Sequence, residues 1–275
     1  MKKRIVDLQR SIKSTISFGV GGDNIENIIG EEKRNTYGTS MRIISARNKS
    51  DIDVQFLDEH GYIKRHAMYI NFVKGQIKNP YDKNKYGVGY IGVGKHKSKV
   101  NGQYNYIYDA WADMLNRCYH SKKNFPAYYD ICTVCDEWLN FQVFGDWYEN
   151  NEYPVNERLH IDKDILYPNC RIYSPETCLL VPQRINMLFL NKPNKRGLPN
   201  GIIKCQSGYL SKYAGKKLGV YPTLEEAYEV YANVKENKIK EVADEYMNII
   251  PKETYEALYK YKVKIENDKN YKVVA

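Results

Sequence analysis

Leu159-His160-Ile161-Asp162-Lys163-Asp164-Ile165 decides how the rest of this chain is read. Residues two apart share a strand face, so a β-strand here carries His160, Asp162 and Asp164 on one side. A polar turn follows, Tyr167-Pro168-Asn169-Cys170. After it come Arg171-Ile172-Tyr173-Ser174-Pro175-Glu176-Thr177-Cys178 and the apolar run Leu179-Leu180-Val181. Pro182 opens a short helix to Phe189, because proline fits a first helical turn, where its missing N–H costs nothing. The expected unit is strand, turn, strand, helix. An imidazole and two carboxylates on one face have the chemistry to hold a divalent cation and move a proton. A solvated polar face is the plainer reading.

Upstream, Ile107, Tyr108, Trp111, Met114, Leu115 and Cys118 fall on one helical face and read as core. Trp138, Phe141, Phe144 and Trp147 recur every three residues, with Leu139, Val143 and Tyr148 beside them, and predict a second, mostly buried helix. Between these helices lies a CxxC, Cys132 to Cys135. With Cys170 and Cys178 it has the four thiolates of a structural zinc site, although the second pair lacks CxxC spacing. Gly87 to Gly94 contains a GxGxxG. No helix follows it, so a dinucleotide site is rejected. It reads as a glycine-rich hairpin with lysines for phosphate, or as a plain linker, with a turn at Asn101-Gly102.

Nearer the N-terminus, Asp51 to Phe56 alternates strictly, with Ile52, Val54 and Phe56 on one face. Asp58 to Gly61 is a turn, Tyr62 to His66 the returning strand, and Met41 to Ile44 another strand. A small barrel-like β module is the natural closure for such strands. Before it, Ile5, Leu8, Ile12 and Ile16 suggest a short amphipathic helix, ended by Gly19, Gly21 and Gly22.

Downstream, residues 191–201 form a basic linker with Pro and Gly, carrying Lys192, Lys195 and Arg196. Thr223 and Glu226 make a capping box that fixes a helix start. Ala227, Tyr228, Tyr231, Val234, Ile239, Val242 and Tyr246 continue an apolar stripe along that helix. Pro251 begins a last helix, with Tyr255, Leu258 and Tyr259 inward.

The 275 residues suffice for one large domain or two to three small ones. A net charge of +9 suits a polyanionic partner, and 26 tyrosines interleaved with basic residues suit phosphate contact and base stacking. Asp7, Gln9, Arg10 and Lys13 interrupt any apolar signal segment, and no run reaches membrane-spanning length, so a cytoplasmic location is expected. Six cysteines then argue for thiols or metal rather than disulfides.

The central order resembles a group of phage and prophage proteins described as HNH or homing-endonuclease-like. The resemblance runs through Trp111-Met114-Leu115-Arg117-Cys118-Tyr119 and Val134-Cys135-Glu137-Trp138-Leu139-Phe141-Phe144-Trp147-Tyr148. It continues through Asp162-Lys163-Asp164-Ile165, Tyr173 to Cys178, Val181-Pro182 and Ile185-Asn186. Tyr69 to Pro80 resembles the stretch preceding this unit in the same group. Gly201 to Lys204, Gly208 to Leu210, Lys216 to Tyr221 and Thr223 to Tyr228 resemble an AP2-type DNA-binding domain, with a middle hairpin shorter than usual for that family.

The resemblance implies an α+β chain of three modules. They are an N-terminal β accessory module (1–95), helices plus a ββα nuclease unit (96–197), and a three-stranded sheet with a packed helix (198–275). It implies a metal-dependent endonuclease cleaving double-stranded DNA with Mg or Mn. Asp162 and Asn186 would hold the cation, Lys163 stands where a histidine base is usual, and Thr177 fills the slot of the central asparagine. His160 is the substitute base. DNA would lie along Lys192, Lys195 and Arg196 and against Lys204, Tyr209, Lys212, Lys216 and Lys217. The alternatives are a catalytically silent DNA-binding regulator and an inhibitor of a host protein; Lys163 and Thr177 favour the first of these.

Overall fold

The computed structural model describes residues 25–271, a mixed α+β chain of short helices and several small sheets. The helix expected near Ile5 to Ile16 and its glycine break lie outside the described residues. The chain divides into two compact units, 1–82 and 83–275.

In the first unit β1 (Glu32–Arg34), β2 (Ser40–Asn48), β3 (Asp51–Phe56) and β4 (Ile63–Ala67) form an antiparallel meander. The alternation of β3 is realised. Ile52, Val54 and Phe56 are fully buried with Met41 and Ile43. Among the described residues the sheet does not close into a barrel, since β1 and β4 are both edges. A three-residue β1 and register shifts along β2 and β3 leave too little regular ladder to close. The open core is capped instead by α1 (Tyr69–Val73), through Phe72, and by Ile77.

The second unit begins before the boundary expected at 95. Residues 87–96 are neither a linker nor a lysine-bearing hairpin tip but a strap on α2 (Tyr106–Tyr119) and α3 (Phe141–Asn151). A side chain at Gly89 would collide with Trp111 and Leu115, and one at Gly94 with Gln142, so glycine lets the strap lie flat. Tyr90 donates its N–H to the Leu139 carbonyl and accepts from Phe141 N–H, while Gln142 bonds Ile91 and His96. The strap therefore occupies the backbone at Asn140. The single helix expected from Trp138 onward is split there into a 3-10 turn, Asp136–Leu139, and α3, which Asn140 caps. The hairpin of β5 (Lys99–Val100) and β6 (Gln103–Tyr104) turns at Asn101-Gly102, both with positive φ, as expected.

The α2 face is buried as its period requires. Trp111, Trp138, Phe141 and Phe144 form the centre of this core, and the Trp111 indole N–H reaches the Trp138 carbonyl at 2.7 Å. β7 (Thr133–Val134) pairs in parallel with β9 (Ile172–Tyr173). β8 (Leu159–Asp162) pairs antiparallel with β10 (Leu179–Pro182), and α4 (Gln183–Leu188) follows directly and packs on both strands. Strand, strand and helix thus occur in the expected order. The second strand is the apolar run 179–182, and Pro182 ends it as the N-cap of α4.

β11 (Ile202–Cys205), β12 (Gly208–Tyr213) and β13 (Lys216–Tyr221) form a three-stranded antiparallel sheet under α5 (Leu224–Glu245). The Thr223–Glu226 capping box is present. No unit boundary falls at 197, because α5 serves two cores. Ala227, Tyr228, Tyr231 and Ala232 pack on the sheet, whereas Ile239, Val242, Ala243 and Tyr246 pack on Ile165, Val181 and Ile185. Arg184–Glu245 and Tyr246–Glu157 add polar ties. The segment 191–200 is no free tether. Asn191, Asn194 and Asn200 are hydrogen-bonded to the 267–270 segment. α6 (Lys252–Lys260) buries Leu258 but leaves Tyr259, expected inward, at the surface on Asp244.

Candidate functional site

β8 ends where its last register pair, Asp162 with Leu179, is made. Asp162 Oδ1 then accepts the N–H groups of Asp164 (2.9 Å) and Ile165 (2.8 Å), a side-chain-closed turn that drops Ile165 into the core. Asp164 is therefore beyond the strand and does not share a face with His160. Burial, reinforced by the neighbouring Asp164 charge, pushes the Asp162 carboxyl up to about 6.

Lys163 is only 4% exposed. Its ammonium bonds Asp164 at 2.9 Å and lies over the rings of Tyr128 and Tyr173, at 5.5 and 5.7 Å. Burial draws its pKa down, but the charge and hydrogen bond of Asp164 outweigh this and the net shift is upward. Lys163 is thus a fixed cation at neutral pH, suited to hold an anion and unsuited to accept a proton.

His160 faces a different small cavity, lined by Asp113, Arg117, Arg158 and Tyr173. Its buried Nε2 has no hydrogen-bond partner among the described residues. Burial, then the nearby Arg158 and Arg117, lower its pKa, which keeps the ring neutral near pH 7. Neither Asp162 nor Asp164 lines that cavity. Of the three side chains expected together on one face, His160 stands apart, while Asp162 and Asp164 share one turn. Asn186 lies one turn into α4, half-buried. Thr177 Oγ1 accepts from Ser174 N–H and donates to the Ile172 carbonyl at 2.8 Å, which fixes the turn between β9 and β10.

For a hard divalent cation, oxygen donors are the right chemistry; the Asp162 carboxylate and the Asn186 amide are such donors, and among the described residues no hydrogen bond joins the two. The Lys163 ammonium in the same turn opposes a second positive charge. Among the described residues two clusters bring three ligand atoms within 4.8 Å, and this turn is not one of them. They are Asp51, Asp53 and His66, and His96, Asp146 and Glu149. Both already hold cations: Arg47 and Arg65 on the first, Lys95 on the second. Arg47 keeps Asp53 at about 2. Neither cluster contains a cysteine. Cys132 and Cys178 are buried thiols, Cys135 and Cys170 partly exposed ones. The four-thiolate site is not assembled; the pairing of β7 with β9 brings their segments side by side without converging the four sulfurs.

On the C-terminal sheet the period of two divides the expected DNA-contacting set. Tyr209 is in register with Lys204 and Tyr221 and packs on the α5 side, and Lys216, opposite Tyr213, shares that side. The outer face carries Lys212 opposite Lys217, beside Ile203, Leu210 and Val220. Lys192, Lys195 and Arg196 are exposed on the pinned 191–200 segment.

Two features had no place among the sequence expectations. One is a recess between the Asp162–Asp164 turn, α5 and the 261–269 segment, lined by Tyr128, Asp164, Tyr231, Lys235, Tyr261 and Lys269. Its one sequence signal is lysine at half-buried positions of an otherwise amphipathic helix. The other is the imidazole of His96, 3% exposed between Asp146 and Glu149, which lie far along the chain. No family model, curated protein or solved structure matches this chain.

Proposed function

We propose that this chain is a double-stranded DNA endonuclease of the HNH type, with an AP2-like sheet as a second DNA contact. What carries the reading is the β8–β10–α4 order with a buried acid, Asp162, on the last residue of the first strand. Asp162 and Asn186 would hold one divalent cation, which supplies charge compensation for the leaving oxygen of a phosphodiester. Lys163, held charged by Asp164, binds a phosphate oxygen. His160, neutral and with an unpartnered Nε2, has the protonation state of a base, although its cavity is separate from Asp162.

A second reading has its own support. Asp162 Oδ1 already closes a backbone turn, and Lys163 occupies the place of a base. Both fit a scaffold that clamps DNA without cutting it. The two readings share DNA binding. With a net charge of +9 and Lys212, Lys217, Lys192, Lys195 and Arg196 available to phosphates, affinity for duplex should fall by at least about tenfold between roughly 50 and 200 mM salt. A salt-independent affinity measured by fluorescence anisotropy would remove both. Cation-dependent nicking of plasmid separates them.

A further inference from the structure

The recess beside the Asp162–Asp164 turn gathers cationic and donor groups that the fold leaves without acceptors. Lys235, half-buried on α5, lies over the Tyr231 ring at 5.9 Å, and Lys269 lies over the Tyr128 ring at 4.7 Å. Among the described residues neither ammonium makes an ion pair or a hydrogen bond. The two acids that line the recess are committed elsewhere. Asp164 holds Lys163, and Asp268 accepts four hydrogen bonds from Asn200 and Asn270. With Lys163 and Lys264 included, the charges at the recess sum to a positive excess.

The remaining groups are also donors. The hydroxyls of Tyr128, Tyr231 and Tyr261 make no hydrogen bond among the described residues, and the amide nitrogen of Asn267 makes none. Burial raises the pKa of each tyrosine, so all three stay protonated at neutral pH. Burial lowers the pKa of Lys235 and Lys269, and the charges of Asp268, and for Lys269 also Asp164, only partly offset it. Desolvated charges in folded proteins are normally paired, and an anion would pair the half-buried Lys235, with Lys269 at the exposed rim of the recess. The recess offers about 50 Å³. At roughly 10–15 Å³ for each water that is the room of about four waters, enough for one tetrahedral oxyanion and too little for a nucleotide.

We propose that this recess binds a phosphate group, with Lys235 and Lys269 as its cations and the tyrosine hydroxyls and Asn267 as flanking donors. Inorganic phosphate and the terminal phosphate of a nucleic-acid strand share this chemistry. Only the second source rests on the DNA reading above.

The test is thermal melting of the full chain in sodium phosphate against sodium chloride at equal pH and ionic strength. Phosphate should raise the midpoint saturably, by about 2–4 °C. Lys235→Gln and Lys269→Gln should each weaken the response about tenfold, as expected when a charged donor is lost, while Lys252→Gln, at the exposed start of α6, should leave it unchanged. Lys269 is at the surface, so its variant carries the test if the Lys235 variant does not fold. Coincident phosphate and chloride curves, or an undiminished response in Lys269→Gln, would overturn the proposal. Competition with a 5′-phosphorylated and a 5′-hydroxyl duplex then identifies the source. Tighter binding of the phosphorylated end, lost in Lys269→Gln, assigns the recess to strand termini. Equal binding with the phosphate response intact assigns it to the free anion. A chain that responds to phosphate and binds no DNA keeps this site and removes the nucleic-acid reading.

Discussion

Two neighbouring regions of the second unit bury charge in opposite ways. In the Asp162–Asp164 turn the groups answer one another: two backbone amides on Asp162, Asp164 on Lys163, Lys163 over two aromatic rings. In the adjoining recess, Lys235 and Lys269 lie over aromatic rings and, among the described residues, make no ion pair. The turn is thus a structural device that nonetheless carries two of the expected catalytic residues, Asp162 and Lys163. The recess gives its two lysines no direct partner among the described residues. A site for a ligand is better sought where polar groups lack partners than where a motif places them, and both criteria point to the same end of β8.

The largest effect should come from removing the centre of the turn. Asp162→Ala leaves the N–H groups of Asp164 and Ile165 without their acceptor and should destabilise the chain by about 2–3 kcal/mol in urea unfolding at pH 7. A cost near zero would mean that the turn is not self-supporting, and the contrast between the regions would collapse.

Asp162→Asn sharpens the contrast, because it keeps an Oδ1 acceptor and removes the charge. The folded carboxyl titrates at about 6, above its unfolded value of about 4, so the folded state binds the proton more tightly. The contribution of this group is full below about pH 4 and is lost as pH rises through about 6. Wild-type stability relative to Asp162→Asn should therefore fall by about 2–3 kcal/mol between pH 4 and pH 7. A constant difference across that window would show that the carboxylate is not desolvated.

A smaller effect, of opposite sign, belongs to the recess. Lys235→Met replaces a half-buried ammonium, only partly offset by the Asp268 charge, by an apolar chain of similar length. In phosphate-free buffer it should gain about 1 kcal/mol. A loss of that size would mean that the fold already uses the Lys235 charge.

These contrasts also explain what could be read in advance. The faces of β3, α2 and α5 were legible because apolar spacing reports burial directly: Ile52, Val54 and Phe56, then Trp111, Met114 and Leu115, then Ala227, Tyr228 and Tyr231. The Thr223–Glu226 capping box was legible because its partners are three residues apart. The alternation of His160, Asp162 and Asp164 misled, since an aspartate that accepts its own downstream N–H groups ends a strand without changing the pattern. The strap at Gly87 to Gly94 reads as hairpin or linker because close approach through glycine leaves no apolar signature. The asparagine ties at 191, 194, 200 and 270 look like loop composition until both ends of the second unit are in place. The recess draws Tyr128, Lys235 and Lys269 from three distant segments, and no local spacing connects them.

Whether the buried acid at the end of β8 serves chemistry as well as folding is the central question for this chain. Supercoiled plasmid incubated with magnesium or manganese, with wild type and Asp162→Asn side by side, tests it most directly. The expected result is nicking by wild type that a chelator stops. Asp162→Asn, folded and binding the same plasmid, should show none, because its amide keeps the turn and lacks the charge a cation requires. Equal nicking by the two proteins, or wild type that binds plasmid and never nicks it with either metal, would contradict the nuclease reading and leave the clamp.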